Sequence, residues 1–173
     1  MKRTLPIAIC FVLTLGIASA QSLKKAIHRM NVDVTRALKN KDMAKFEKIT
    51  RPNVTSDFKH IDMGKTQSYD EMLTDIKQSF GMIQKFTSAS ATTNKIRING
   101  DTATSVSHHR MAGIMMGPDN KKHRMLMVGA THDTYRKEDG KWKLAVMEWF
   151  NEKMTLDGKP FNPAAMSGGA DHH

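Results

Sequence analysis

The sequence predicts an α+β fold, from a change of apolar period and from the order in which the two periods occur. In the first half, apolar residues recur every three or four positions. From Lys85 onward the period falls to two, and the runs are joined by tight-turn signals at Asn99-Gly100-Asp101 and Asp139-Gly140. Helices first and hairpin-linked strands last describe helices segregated on one side of an antiparallel sheet.

Each element has its own signal. Ile27, Met30, Val34, Ala37 and Leu38 make one apolar stripe of a first helix, which Asn40-Lys41-Asp42 interrupts. Asp42 is placed to N-cap a short second helix that turns Met43, Phe46 and Ile49 inward, and Arg51-Pro52 ends it. "NVTSDFKHIDMG" reads as a strand closed by Gly64. "SYDEMLTDIKQSFG" is a third helix, with a Ser68/Glu71 capping box, Met72, Ile76 and Phe80 on one face, and Gly81 as C-cap. "FTSASATTNKIRI", "TATSVSHHRMAGIMM", "HRMLMVGATHDTYRK" and "WKLAVMEWFNEKM" are four successive strands, the middle two linked by a turn at Gly117–Asn120.

The ends of the chain are set apart. Lys2 and Arg3 precede an apolar run, Leu5 to Gly16, and Ala18-Ser19-Ala20 is a small-residue cleavage motif. Residues 1–20 are therefore expected to be a secretory signal peptide, cut after Ala20, and the protein to be secreted or periplasmic. Residues 21–161 form one domain, and the Pro/Gly/Ala-rich residues 162–173 form a disordered tail. No segment is long and apolar enough to be expected to span a membrane. The single cysteine, Cys10, lies in the signal, so a thiol nucleophile, a disulfide and a thiolate metal site are excluded from the mature chain. The formal charge of +10 is dispersed rather than gathered on one element with aromatics, so no nucleic-acid partner is expected.

The stretches "VTRALKNKDMAKFEKI", "NVTSDF", the helix beginning at Ser68 and the hairpin "TYRKEDGKWKLAVMEW" together resemble the NTF2-like superfamily, in its SnoaL-like or DUF4440 branch. The resemblance spans Leu23 to Phe161. It implies a curved antiparallel sheet wrapped round three helices, a conical pocket, and a homodimer through the outer sheet face. Isomerases, dehydratases, polyketide cyclases and plain ligand binders share this fold, so the site decides function. In the isomerase branch an Asp base works against a Tyr and a protonated Asp. By that resemblance Asp57 falls at the base, Val34 at the Tyr and His132 at the protonated Asp. The donor on the first helix is lost, while Asp57 and His132 remain as a candidate catalytic acid/base pair.

Strand parity supplies the remaining candidates. His108 and His109 must point to opposite faces. A two-residue turn at Asp139-Gly140 would put Tyr135, Asp133 and Thr131 on the face of Trp142, Leu144, Val146 and Glu148. A bulged three-residue loop would substitute His132 and Thr134. The expected pocket lining is thus His108 or His109, Met111, Asp133 or His132, Tyr135, Trp142 and Glu148. Met111, Met115, Met116, Met125 and Met127, with His109 and His123, have the softness of a Cu(I) set, but methionine is also a flexible core filler. The filler reading is preferred, and no metal or other cofactor is expected. The function these features favour is binding of a small, partly apolar molecule. An acid/base enzyme is the first alternative, and a structural dimerisation module with a filled core the second.

Overall fold

In the computed structural model the backbone is described for residues 8–162 and the side chains for residues 21–162. Residues 1–7 of the expected signal peptide and 163–173 of the expected tail lie outside the described backbone. Helix α1 (Ala8–Lys39) is continuous through the expected cleavage point. Helix α2 (Met43–Thr50) starts where Asp42 accepts the Lys45 amide, and a 3-10 turn at Arg51–Asn53 leads into β1 (Val54–Asp62). After β2 (Lys65–Gln67) comes α3 (Tyr69–Met82), then β3 (Ile83–Asn99), β4 (Thr102–Met116), β5 (Lys122–Glu138), β6 (Lys141–Leu156) and β7 (Lys159–Phe161). Among the described residues no helix is long and apolar enough to cross a membrane.

Both caps of α3 are informative. Ser68 and Glu71 close the capping box as expected. Gly81, however, is not the C-cap: the helix runs to Met82 and passes at Ile83 straight into extended backbone (φ −83°, ψ 114°), so no left-handed residue is needed.

The sheet runs β2-β1-β6-β5-β4-β3, with β7 paired to β6. It is mixed rather than wholly antiparallel, because β1 lies parallel to β6. A strand separated from its partner by α3 and four other strands is not bound by hairpin geometry. The short strands β2 and β7 carry no period of their own, yet both close on two-residue turns with positive φ at both positions. These are Met63 (47°) with Gly64 (79°), and Asp157 (49°) with Gly158 (80°).

Helices α1 and α3 cover one face of the sheet. Leu23, Ile27, Ala37, Phe46, Phe58, Met72 and Leu73 pack there with Ala103, Tyr135 and Leu144. A second cluster, Phe80, Ile83, Phe86, Met115, Met125 and Leu156, fills the other end. The residues that alternate with these point to the outer, helix-free face.

The turn at the end of β5 decides the register. Asp139 (φ 49°) and Gly140 (φ 74°) form a two-residue turn, so Glu138 opposes Lys141, Lys137 opposes Trp142 and Tyr135 opposes Leu144. Beyond Leu144 the register shifts by one residue at a bulge, and Thr134 opposes Val146, Asp133 opposes Met147 and His132 opposes Glu148. The bulge swaps the faces of β6 as far as Phe150, where a second register shift between Phe150 and Lys153 swaps them again, so that Met154 and Leu156 turn inward. Met147 and Trp149 turn inward, while Val146, Glu148 and Phe150 turn outward.

Candidate functional site

The inner face of β4 and β5 carries a polar cluster that the alternation of "TATSVSHH" and "ATHDTY" places there. Ser105, Ser107, Thr131 and Asp133 are all buried, and each lies on the helix-covered side. The Ser107 hydroxyl donates to Asp133 Oδ2 at 2.5 Å and Ser105 Oγ donates to the same oxygen at 3.3 Å. Because Ser107 spends its proton on Asp133, the 2.9 Å contact with Thr93 makes Thr93 the donor to Ser107. Asn31 Nδ2 in turn donates to Thr93 Oγ1 at 3.1 Å. The chain Asn31–Thr93–Ser107–Asp133 therefore points every donor toward one carboxyl group and ties α1 to β3, β4 and β5.

Asp133 is 4 % exposed, and its Oδ1 has no hydrogen-bond partner among the described residues. Burial pushes its pKa up, against the pull of the Ser107, Thr131 and Ser105 hydroxyls and of His132. With Oδ2 already accepting from two hydroxyls, Oδ1 is the oxygen left to meet a further partner.

His109 stands on the same face, opposite Gly129 and next to the Ser107–Thr131 pair. Its Nε2 lies 3.0 Å from Thr131 Oγ1 and its ring is 4.7 Å from the Trp149 ring, tilted by 42°. Burial, and secondarily the neighbouring His108, draws the imidazole pKa down to about 4, so His109 is neutral at physiological pH. Gly129 makes room for this contact: a Cβ there would meet the Trp149 ring at 3.0 Å. Beyond His109 the inner face becomes apolar and half-buried, with Met111, Met127, Met154 and Trp149.

The expected site residues divide between the two faces. His109, Asp133 and Met111 are inward. His108 is exposed on the outer face. Tyr135 and Trp142 are inward but belong to the main core, Tyr135 as a buried member and Trp142 packed against it, so they correct the expectation of pocket lining. Glu148 is corrected too, since the bulge after Leu144 turns it outward into solvent, opposite His132.

The Asp57–His132 pair is not assembled. Asp57 is exposed and bound by Arg136 through both guanidinium nitrogens, at 2.6 and 3.2 Å, which holds its pKa down to about 2. His132 is exposed on the outer face and stacks on Phe150 with ring centroids 4.2 Å apart. It lies four residues from Arg136 along β5, about 13 Å at the usual strand rise. The buried carboxyl on this strand is the next residue, Asp133, where the family matching had placed His132.

Ser105, Ser107, Thr93 and Asn31 went unread in the sequence although parity with His109 would have found the two serines. Trp149 was hidden by the bulge, which no residue type announces.

The family comparison agrees with this architecture. A model of the SnoaL-like domain matches residues 21–148. The chain belongs to the SnoaL-like family. Among solved structures, the Kfla4162 protein from Kribbella flavida superposes with a TM-score of 0.61 at 16% identity, over 83% of this chain and 95% of that one. The hexachlorocyclohexane dehydrochlorinase LinA-type3 from Novosphingobium barchaimii LL02 gives 0.62 at 15% identity, over 83% and 96%. A conserved protein from Planctomyces limnophilus DSM 3776 gives 0.58 at 18% identity, over 74% and 94%. At these identities the likeness shows the fold. No curated protein matches the sequence.

Proposed function

We propose that this SnoaL-like domain binds a small, partly apolar molecule against the inner face of its sheet, with Asp133 and His109 as the polar contacts. The observation that carries this reading is the Asp133 carboxyl group: it is buried, fed by two serine hydroxyls on one oxygen, and without a partner among the described residues on the other. A buried oxygen without a partner costs about 1–3 kcal/mol, a cost that a ligand hydroxyl or carbonyl would remove. The half-buried Met and Trp side chains beside His109 supply the adaptable apolar wall such a ligand needs.

A second reading, acid/base catalysis on the bound molecule, is favoured by the neutral state of His109. An imidazole held neutral at pH 7 can accept a proton, and burial shifts the Asp133 carboxyl toward the protonated form that can donate a hydrogen bond where charge develops. The same two residues serve both readings, so Asp57 and His132 have no part in either.

Two further expectations belong with this proposal. The N-terminal signal features support export to a secreted or periplasmic location. The half-buried Val106, Val128, Val146 and Phe150 on the outer face support a homodimer formed there.

The test is a titration with a panel of small aromatic alcohols and ketones, beginning with 2-naphthol, followed by Trp149 fluorescence in a Trp142→Phe background. Saturable binding is expected to weaken at least tenfold in Asp133→Asn and His109→Gln. Asp57→Asn and His132→Gln should bind as the parent does. Equal affinity in all four variants, or no saturable binding across the panel, would refute the proposal.

A further inference from the structure

Strand register brings together three methionines that are far apart in sequence. Met111 on β4 lies directly opposite Met127 on β5, and Met127 lies directly opposite Met154 on β6. All three share the inner face with His109, which precedes Met111 by two residues on β4. Neighbouring strands are about 4.8 Å apart, so opposed Cβ atoms lie about 5 Å from one another. Each methionine has three rotatable bonds beyond its backbone, enough for thioethers in one such row to turn toward a common point.

The other methionines of the hairpin are occupied differently. Met115 and Met125 are 2 % and 5 % exposed and fill the second core cluster. Met116 accepts the Gln84 side-chain amide. His123 is held by carboxylates on both ring nitrogens, at 2.8 Å from Asp119 and 2.8 Å from Asp157. Met111, Met127 and Met154 are only half-buried, with Met111 and Met154 packed against the second core cluster.

We propose that Met111, Met127 and Met154, with His109, form a binding site for a soft monovalent cation, Cu(I). Thioether sulfur and imidazole nitrogen are the donors that favour Cu(I) over hard divalent ions, and a row of neutral donors suits a singly charged guest. His109 stands two residues before Met111 on the same face of β4. Its Nε2 contact with Thr131 fixes the ring and leaves Nδ1 uncommitted among the described residues. The site shares its face with the organic-ligand reading, and the two are separable by experiment.

The test is an anaerobic Cu(I) titration of the full chain under ascorbate, in competition with a chromogenic Cu(I) chelator. It is run in a His172→Ala/His173→Ala background so that the terminal histidines cannot contribute. One saturable equivalent is expected, weakened at least a hundredfold in Met111→Leu/Met127→Leu/Met154→Leu and at least tenfold in His109→Gln. Leucine conserves volume, and circular dichroism checks the fold. Should the triple variant not fold, Met127→Leu alone removes the central donor and is expected to weaken binding at least tenfold. No saturable equivalent, or unchanged affinity in the folded methionine variants, overturns the proposal. Titrating the metal-free protein with 2-naphthol in parallel shows whether the organic-ligand reading stands or falls separately.

Discussion

Asp133 holds more of the account than any other side chain, and its two oxygens make separable predictions. In Asp133→Asn one amide oxygen can still accept from Ser107 and Ser105, while the burial penalty of a carboxylate disappears. The variant is expected to melt at or above the parent temperature at pH 7 in a thermal scan. Asp133→Ala instead strands two buried hydroxyls and opens a small void, and it should lose about 2–4 kcal/mol in denaturant unfolding. If the Asn variant is as damaged as the Ala variant, the carboxyl group is needed for the fold rather than available to a ligand. Parity alone told which of His108 and His109, and which of His132 and Asp133, must differ in direction. It could not tell which member of each pair faced the helices, because that depends on the turn at Asp139-Gly140 and on where α1 docks.

At the scale of elements, turns and bulges decide most of what strand patterns leave open. Asp139-Gly140 was legible as a tight turn but its length was not, so Tyr135 and Asp133 stood as one of two possible sets facing Trp142 until the two-residue turn decided between them. The bulge after Leu144 was not legible, and for that reason Glu148 was misplaced and Trp149 overlooked. Gly113 illustrates a backbone constraint of the same kind. A Cβ there would run into the Lys85 carbonyl where β3 shifts register, so Gly113→Ala must push β3 and β4 apart. A loss of about 2 kcal/mol or more is expected in chemical denaturation. His123 joins two turns, since both of its ring nitrogens meet carboxylates and only an imidazolium can donate to both. These hydrogen bonds, Asp119 first and Asp157 second, raise its pKa above 6.5, and the same contact is the largest cause lowering Asp119. The sign follows from linkage: this stabilisation is complete below pH 6.5 and is lost as pH rises through the folded-state value. The melting temperature should therefore decline more steeply with rising pH above 6.5 in the parent than in His123→Gln. Equal slopes would show that the clasp contributes nothing.

For the whole molecule, the order of elements was legible because each long helix and strand carries its own period and its own cap or turn. The SnoaL-like assignment follows from that order, and the family match and the fold agree with it. The parallel β1–β6 pairing and the short strands β2 and β7 were not legible, since three-residue strands have no period and a crossover leaves no local mark. The candidate site was legible in residue type but not in direction, because a site on a sheet is defined by which face the helices cover. The inner face is thereby the place where this domain should meet its ligand, and the outer histidines serve as an internal control. The most direct measurement is side-chain ¹⁵N NMR of the histidines during addition of the aromatic alcohol and ketone panel. The account expects His109 resonances to move with saturation while those of His108 and His132 stay in place. Saturating shifts at His132 or His108 with His109 unmoved would contradict it.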